Sequence, residues 1–134
     1  MKRYIHFSNN LGILSKASQQ DFSNTFIISG IINKFFLQFE LTYKLFKELL
    51  KYEGNAAAVT GSPRSIIKEA YSCYDFIDED IWLNMLKDRN DLSHRYNGTQ
   101  AVQLVQTIIT QYIPEFQKIE RALISLYGED LYKL

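Results

Sequence analysis

A chain of 134 residues has room for a single core, and its 15 basic and 15 acidic side chains cancel, so no net field steers the whole molecule toward nucleic acid. Apolar residues at 46% and charged ones at 22% exclude a disordered chain, and the lone Cys73 excludes a disulfide framework or a cysteine-rich metal cluster. With no signal segment at its start and no apolar run of about 18 residues, the sequence is expected to form one domain over residues 1–134, cytoplasmic and without membrane contact.

Helical periodicity recurs throughout, while strand-like alternation fades within a few residues. The expected fold is all-α, an up-and-down bundle of four to five helices with short connections. A first helix, roughly 4 to 20, places Phe7, Leu11, Leu14 and Ser18 on one face, with Gly12 weakening it. The stretch "TFIISGIINKFFLQFELTYKLFKELLKYEG" repeats Ile28, Ile32, Phe35, Phe39, Tyr43, Phe46 and Leu50 at steps of three and four, and Lys44, Lys47, Glu48 and Lys51 mark its wet side. About thirty residues reach roughly 45 Å, more than so small a core requires, so part of this helix is expected to meet another chain. Gly54, Asn55 and the region of Gly61 end it.

In "GSPRSIIKEAY" Ser62 is the expected N-cap and Pro63 the first helical residue, where a missing N–H costs nothing. That helix runs to about Tyr74. Another follows from about 79 to 93, capped by Asp78, with a stripe of Trp82, Met85 and Leu86. Asp78, Glu79 and Asp80 read better as carboxylates favoured by a helix N-terminus than as metal ligands. The last long helix is expected to start with Thr99 as cap and to pack along Val102, Val105, Ile109, Tyr112, Phe116, Ile119, Leu123 and Leu126, bending at Pro114.

"DRNDLSHRYN", residues 88–97, holds one of only two histidines, with Arg89 five residues before His94 and Tyr96 two after it. Arg89 lies two turns past Trp82 and so continues the apolar stripe. A charge so placed needs a carboxylate from a neighbouring helix, or a phosphate. Cations near a helix C-terminus are also favoured by the macrodipole alone, which is the structural alternative. If the helical path held to Tyr96, Arg89 and Tyr96 would share one face.

The stretch "RNDLSHRY" resembles the RxxxxHxY pattern of HEPN-domain proteins, specifically the HepT-like group long described as nucleotidyltransferase substrate-binding proteins. "FELTYKLFKELLKYEG", "SPRSIIKEAY", "IWLNMLKDRN" and "YIPEFQKIE" are similar to that family's successive blocks, in order, over about residues 30 to 125. The resemblance implies a helical bundle, a homodimer whose two motifs face each other across a cleft, RNA or nucleotide in that cleft, and an MntA-like minimal nucleotidyltransferase as toxin–antitoxin partner. It implies Arg89 and His94 as the catalytic pair of a metal-independent ribonuclease, Asn90 as a supporting polar residue, and Tyr96 as acceptor of AMP from the partner. Asp91 and Leu92 stand where close relatives often have an apolar and then a hydroxyl residue.

The chemistry fits the residue types. A histidine titrating near neutrality exchanges the 2′-OH or leaving-group proton, and an always-charged arginine stabilises the phosphorane. One histidine per motif leaves a second proton donor to be found, most economically in His94 of a dimer mate. Neither a cofactor nor a metal is called for. The alternative reading is a noncatalytic subunit that presents nucleotide or substrate to the nucleotidyltransferase; a plain dimerisation module is a third. Lys87, Arg95, Arg64 and Lys68 read as a solvated face before a phosphate rim. Trp82 reads as core before a base-stacking platform, and Cys73 as a small buried hydrophobe.

Overall fold

A computed structural model describes residues 2–55, 60–91 and 98–134. All regular elements among them are helical: α1 (Arg3–Leu14), α2 (Thr25–Tyr52), α3 (Pro63–Cys73), α4 (Glu79–Asn90), α5 (Gly98–Thr107) and α6 (Ile113–Tyr127). A π-helical segment, Ile108–Tyr112, joins α5 to α6, so residues 98–127 form one rod and the described residues make five rods. No helix among the described residues is long and apolar enough to cross a membrane.

The caps explain where most helices start. Asn24 accepts the amide of Phe26 at 2.9 Å, Ser62 that of Ser65 at 3.3 Å with Pro63 just inside, and Asp78 that of Ile81 at 3.2 Å. Past the end of α2, Gly54 takes φ +87°, a conformation in which a Cβ would strain the chain. Of the residues on the expected α2 stripe, Ile28, Ile32, Phe35, Phe39, Phe46 and Leu50 are buried, and Tyr43 is half-buried. α2 packs against α1, α3, α4 and α5, and is the member around which the others are arranged.

A buried polar contact sets the register of α1 on α2. Asn10 donates to Gln38 Oε1 at 2.9 Å and to the Lys34 carbonyl at 3.1 Å, and Gln38 Nε2 donates to the Phe7 carbonyl at 3.2 Å. Asn10 thus donates to Gln38 and Gln38 in turn to the backbone of α1, so neither can slide by a turn without leaving a buried dipole unmatched.

Several sequence expectations need correction. α1 stops at Leu14 and a 3-10 turn follows at Ala17–Gln19, so Ala17 is buried and Ser18 is exposed. Cys73, the last residue of α3, is exposed. Thr99 lies inside the first turn of α5, which begins at Gly98. Val102 and Leu126 are exposed, because the face that meets the core runs through Ala101, Leu104, Val105, Ile108, Tyr112 and Phe116. The response to Pro114 is a π segment just before it: the proline has no N–H to give and its ring crowds the preceding turn, which widens.

Replacing Gln38 by Leu would roughly keep the volume and leave one Asn10 amide hydrogen without its acceptor, the other still bonded to the Lys34 carbonyl. Urea denaturation should show a loss of about 1–3 kcal/mol, and the Gln38→Leu/Asn10→Leu pair should recover part of it.

Candidate functional site

α4 carries the first half of the Arg–His motif, and its position rests on Trp82. That indole is fully buried, 5.7 Å from the Phe39 ring, 5.2 Å from Phe46 and 5.5 Å from Phe116. Its Nε1 donates to Glu115 Oε2 at 3.2 Å, and the same oxygen accepts the Asp78 amide at 3.0 Å. Lys118 balances the buried carboxylate at 2.7 Å. A tryptophan so enclosed has no face left for a nucleobase, so Trp82 is core.

Two turns on, Arg89 leaves this core and reaches α2, where its guanidinium pairs with Glu40 and lies 5.6 Å over the Phe39 ring. The carboxylate from a neighbouring helix is thus present. The pair is not sealed: the Arg89 side chain retains 31% and Glu40 25% of their exposure. With Phe36 and Leu37 they line an open hollow of about 330 Å³ on the outer face of α2. An arginine held on a ring and a carboxylate, yet open on one side, is a ready acceptor for an anion.

α4 ends at Asn90. Asp91 turns extended at φ −84° and ψ 111°, with its amide still donating to the Lys87 carbonyl at 3.0 Å. The helical path that would have put Tyr96 on the face of Arg89 is therefore broken at Asp91. Asn90 is exposed beside Arg89, whose Nη1 donates to its Oδ1 at 3.5 Å. His94 and Tyr96 lie outside the described residues, as does Arg95.

Lys68, one of the cations that could have formed a phosphate rim, does not stand beside Arg89. Lys68 pairs with Glu79 at 3.5 Å, at the opposite end of α4 and about 15 Å of helical rise away. Asp78 is a cap and Glu79 an ion-pair partner, and among the described residues no group of three or more His, Cys, Asp or Glu is arranged to hold a metal. Another hollow, between the end of α1 and the start of α2, is lined by Ile13, Leu14, Phe26, Ile27 and Ile31 with Lys16 and Lys34 at hand. Its lining holds no carboxylate, histidine, hydroxyl or thiol.

Glu40 is the functional neighbour that the sequence reading missed. Its signal was present: it is the only acid between Asp21 and Glu48, set inside an apolar run. Asp88 and Tyr112 were missed as a pair, since nothing in their spacing announces that the Tyr112 hydroxyl donates to the Asp88 carboxylate.

An all-α bundle presenting an arginine at the end of its fourth helix, open to solvent beside a long central helix, defines the class. The sequence profile described as "Nucleotidyltransferase substrate binding protein like" matches residues 2–125. The chain belongs to that family. A search of curated proteins found no match.

Two tyrosines, one beside the site and one away from it, shape the alkaline behaviour of the protein. Burial, followed by its bond to Asp88, pushes the Tyr112 phenol far above its ordinary 10.0. Burial and then the 2.6 Å contact with Tyr74 do the same for Tyr127. Both phenols hold their protons more tightly folded than unfolded. Their contribution to stability is therefore complete below 10.0 and is lost as pH climbs through the folded values. Thermal melts should fall above about pH 10, less steeply in Tyr112→Phe and Tyr127→Phe, and absorbance at the phenolate band should show these two ionising late or only on unfolding.

Proposed function

We propose that this chain, acting as one domain over residues 1–134, is the HepT-like subunit of a nucleotidyltransferase-linked toxin–antitoxin module. In this reading it is a dimeric, metal-independent ribonuclease whose activity is controlled by AMP transfer to Tyr96 from an MntA-like minimal nucleotidyltransferase. Membership of the nucleotidyltransferase substrate binding protein-like family supports the association with such a partner. The observation that carries the catalytic part is Arg89 itself: five residues before His94, half-exposed, and seated at the lip of an open hollow.

In the proposed reaction His94 takes the proton of the RNA 2′-OH, which attacks the adjacent phosphorus. The P–O5′ bond breaks, and a second imidazole, His94 of the dimer mate, protonates the departing oxygen. Arg89 neutralises the charge that grows on the non-bridging oxygens, with Asn90 beside it. Leu37, which is exposed, and half-buried Phe36 flank Arg89 on α2 and supply an apolar surface for the second protomer. Glu40 competes with phosphate for the same guanidinium. It therefore sets a threshold that a polyanion passes more readily than a single phosphate.

The alternative is a noncatalytic subunit that presents a nucleotide or substrate to the nucleotidyltransferase, for which the same arginine and hollow would serve.

RNA incubated in EDTA with wild type, Arg89→Ala and His94→Ala should be cut by the wild type alone, in fractions that sediment as a dimer. Equal and negligible cleavage by all three would sink the nuclease and favour the presenting subunit. Glu40→Gln should tighten RNA binding by up to about fivefold, the worth of a half-exposed ion pair. With the partner enzyme, Mg²⁺ and ATP, wild type should gain the mass of AMP and Tyr96→Phe should not; an unchanged gain in Tyr96→Phe moves the acceptor elsewhere.

A further inference from the structure

The two ends of α4 are held by one short stretch of the C-terminal rod. Glu115 grips the start, through the Asp78 amide and the Trp82 indole. Tyr112, three residues earlier and across Pro114, grips the end by donating its hydroxyl to Asp88. The Tyr112 ring is nearly parallel to Phe35 of α2, with centroids 5.1 Å apart and an 18° tilt, and is 1% exposed. A phenol enclosed in this way has little choice of direction, so its hydroxyl is an aimed donor.

Asp88 immediately precedes Arg89, and successive helical residues point about 100° apart. The last turn of α4 is thus held from two sides: Asp88 toward the π segment, Arg89 toward Glu40 and Phe39 on α2. The π segment ends on Tyr112, so the widened turn that answers Pro114 also places the ring that fixes this turn. The Tyr112 hydroxyl engages the Asp88 carboxylate, and Asp88 is not among the residues that line the hollow with Arg89.

We propose that Tyr112 is a positioning residue for Arg89: through Asp88 it fixes the last turn of α4, so that the guanidinium stands at the hollow on α2. The functional consequence rests on the ribonuclease reading above, whereas the positioning itself does not.

The test uses the full chain. Tyr112→Phe keeps the ring and removes the donor, and amide hydrogen exchange at residues 88–91 should then quicken by about tenfold or more, as expected for losing a hydrogen bond to a charged group. Exchange in α1 and in the middle of α2 should stay near wild type, and the Arg89 Nε–H resonance should shift. Asp88→Ala should reproduce these changes, and Asp88→Asn, whose amide oxygen still accepts from Tyr112, should restore slow exchange. Tyr127→Phe, which removes a partly buried hydroxyl bonded to Tyr74 and Glu53 rather than to the last turn of α4, serves as the comparison and should leave residues 88–91 unchanged. In RNA cleavage Tyr112→Phe should be slowed about tenfold while Tyr127→Phe is not. Unchanged exchange at 88–91, or a uniform rise throughout the bundle, overturns the positioning role. If wild type cuts no RNA while the exchange pattern appears, the ribonuclease reading fails and the positioning of Arg89 stands.

Discussion

The structure depends on covering α2. This helix has apolar residues around more than one face, and Phe35, Phe39, Phe46, Leu49 and Leu50 all reach zero exposure. Each such side chain is worth about 1.5–3 kcal/mol when fully removed from water, so a single packing partner would leave much of that gain unrealised. α1, α3, α4 and α5 all lie against it. The aromatic cluster of Phe39, Phe46, Trp82 and Phe116 is the centre of that contact, and it determines where α4 must sit.

The candidate site follows from the same constraint. Once Trp82 is inserted between α2 and α6, the helical repeat carries Arg89 to the level of Phe39 and Glu40. Charge and core therefore meet at one point of α2. The arginine is stabilised by a ring and a carboxylate without being enclosed, which leaves it able to exchange one anionic partner for another. A fully buried pair would have been far harder to open, because desolvating and then separating two charges is costly.

The polar contacts inside the bundle act on orientation more than on cohesion. Asn10 with Gln38 sets α1 against α2, Glu115 sets the start of α4, and Tyr112 sets its end. Apolar packing tolerates small rotations, whereas each of these bonds is satisfied at one rotation only. Their value lies in choosing one arrangement among several of similar burial.

Helix count, most helix starts and the α2 stripe were legible in the sequence, because caps, prolines and three-four periodicity are local and act through the backbone. Trp82 as core and Arg89 as a stripe residue in need of a carboxylate or a phosphate were legible for the same reason: helical spacing alone places them. Which carboxylate answers Arg89 was decided only by the tertiary structure, since Glu40 and Arg89 are joined by packing of α4 on α2 and by nothing in their spacing. The same is true of Asn10 with Gln38 and of Asp88 with Tyr112. Ser18, Val102 and Leu126 were misjudged where a helix ended early or where the buried face departed from a strict heptad seam, and Cys73 because the buried face of α3 runs through Ile66, Ile67 and Ala70. Periodicity reports what one helix needs; the partner that meets the need is chosen by how all the helices share α2.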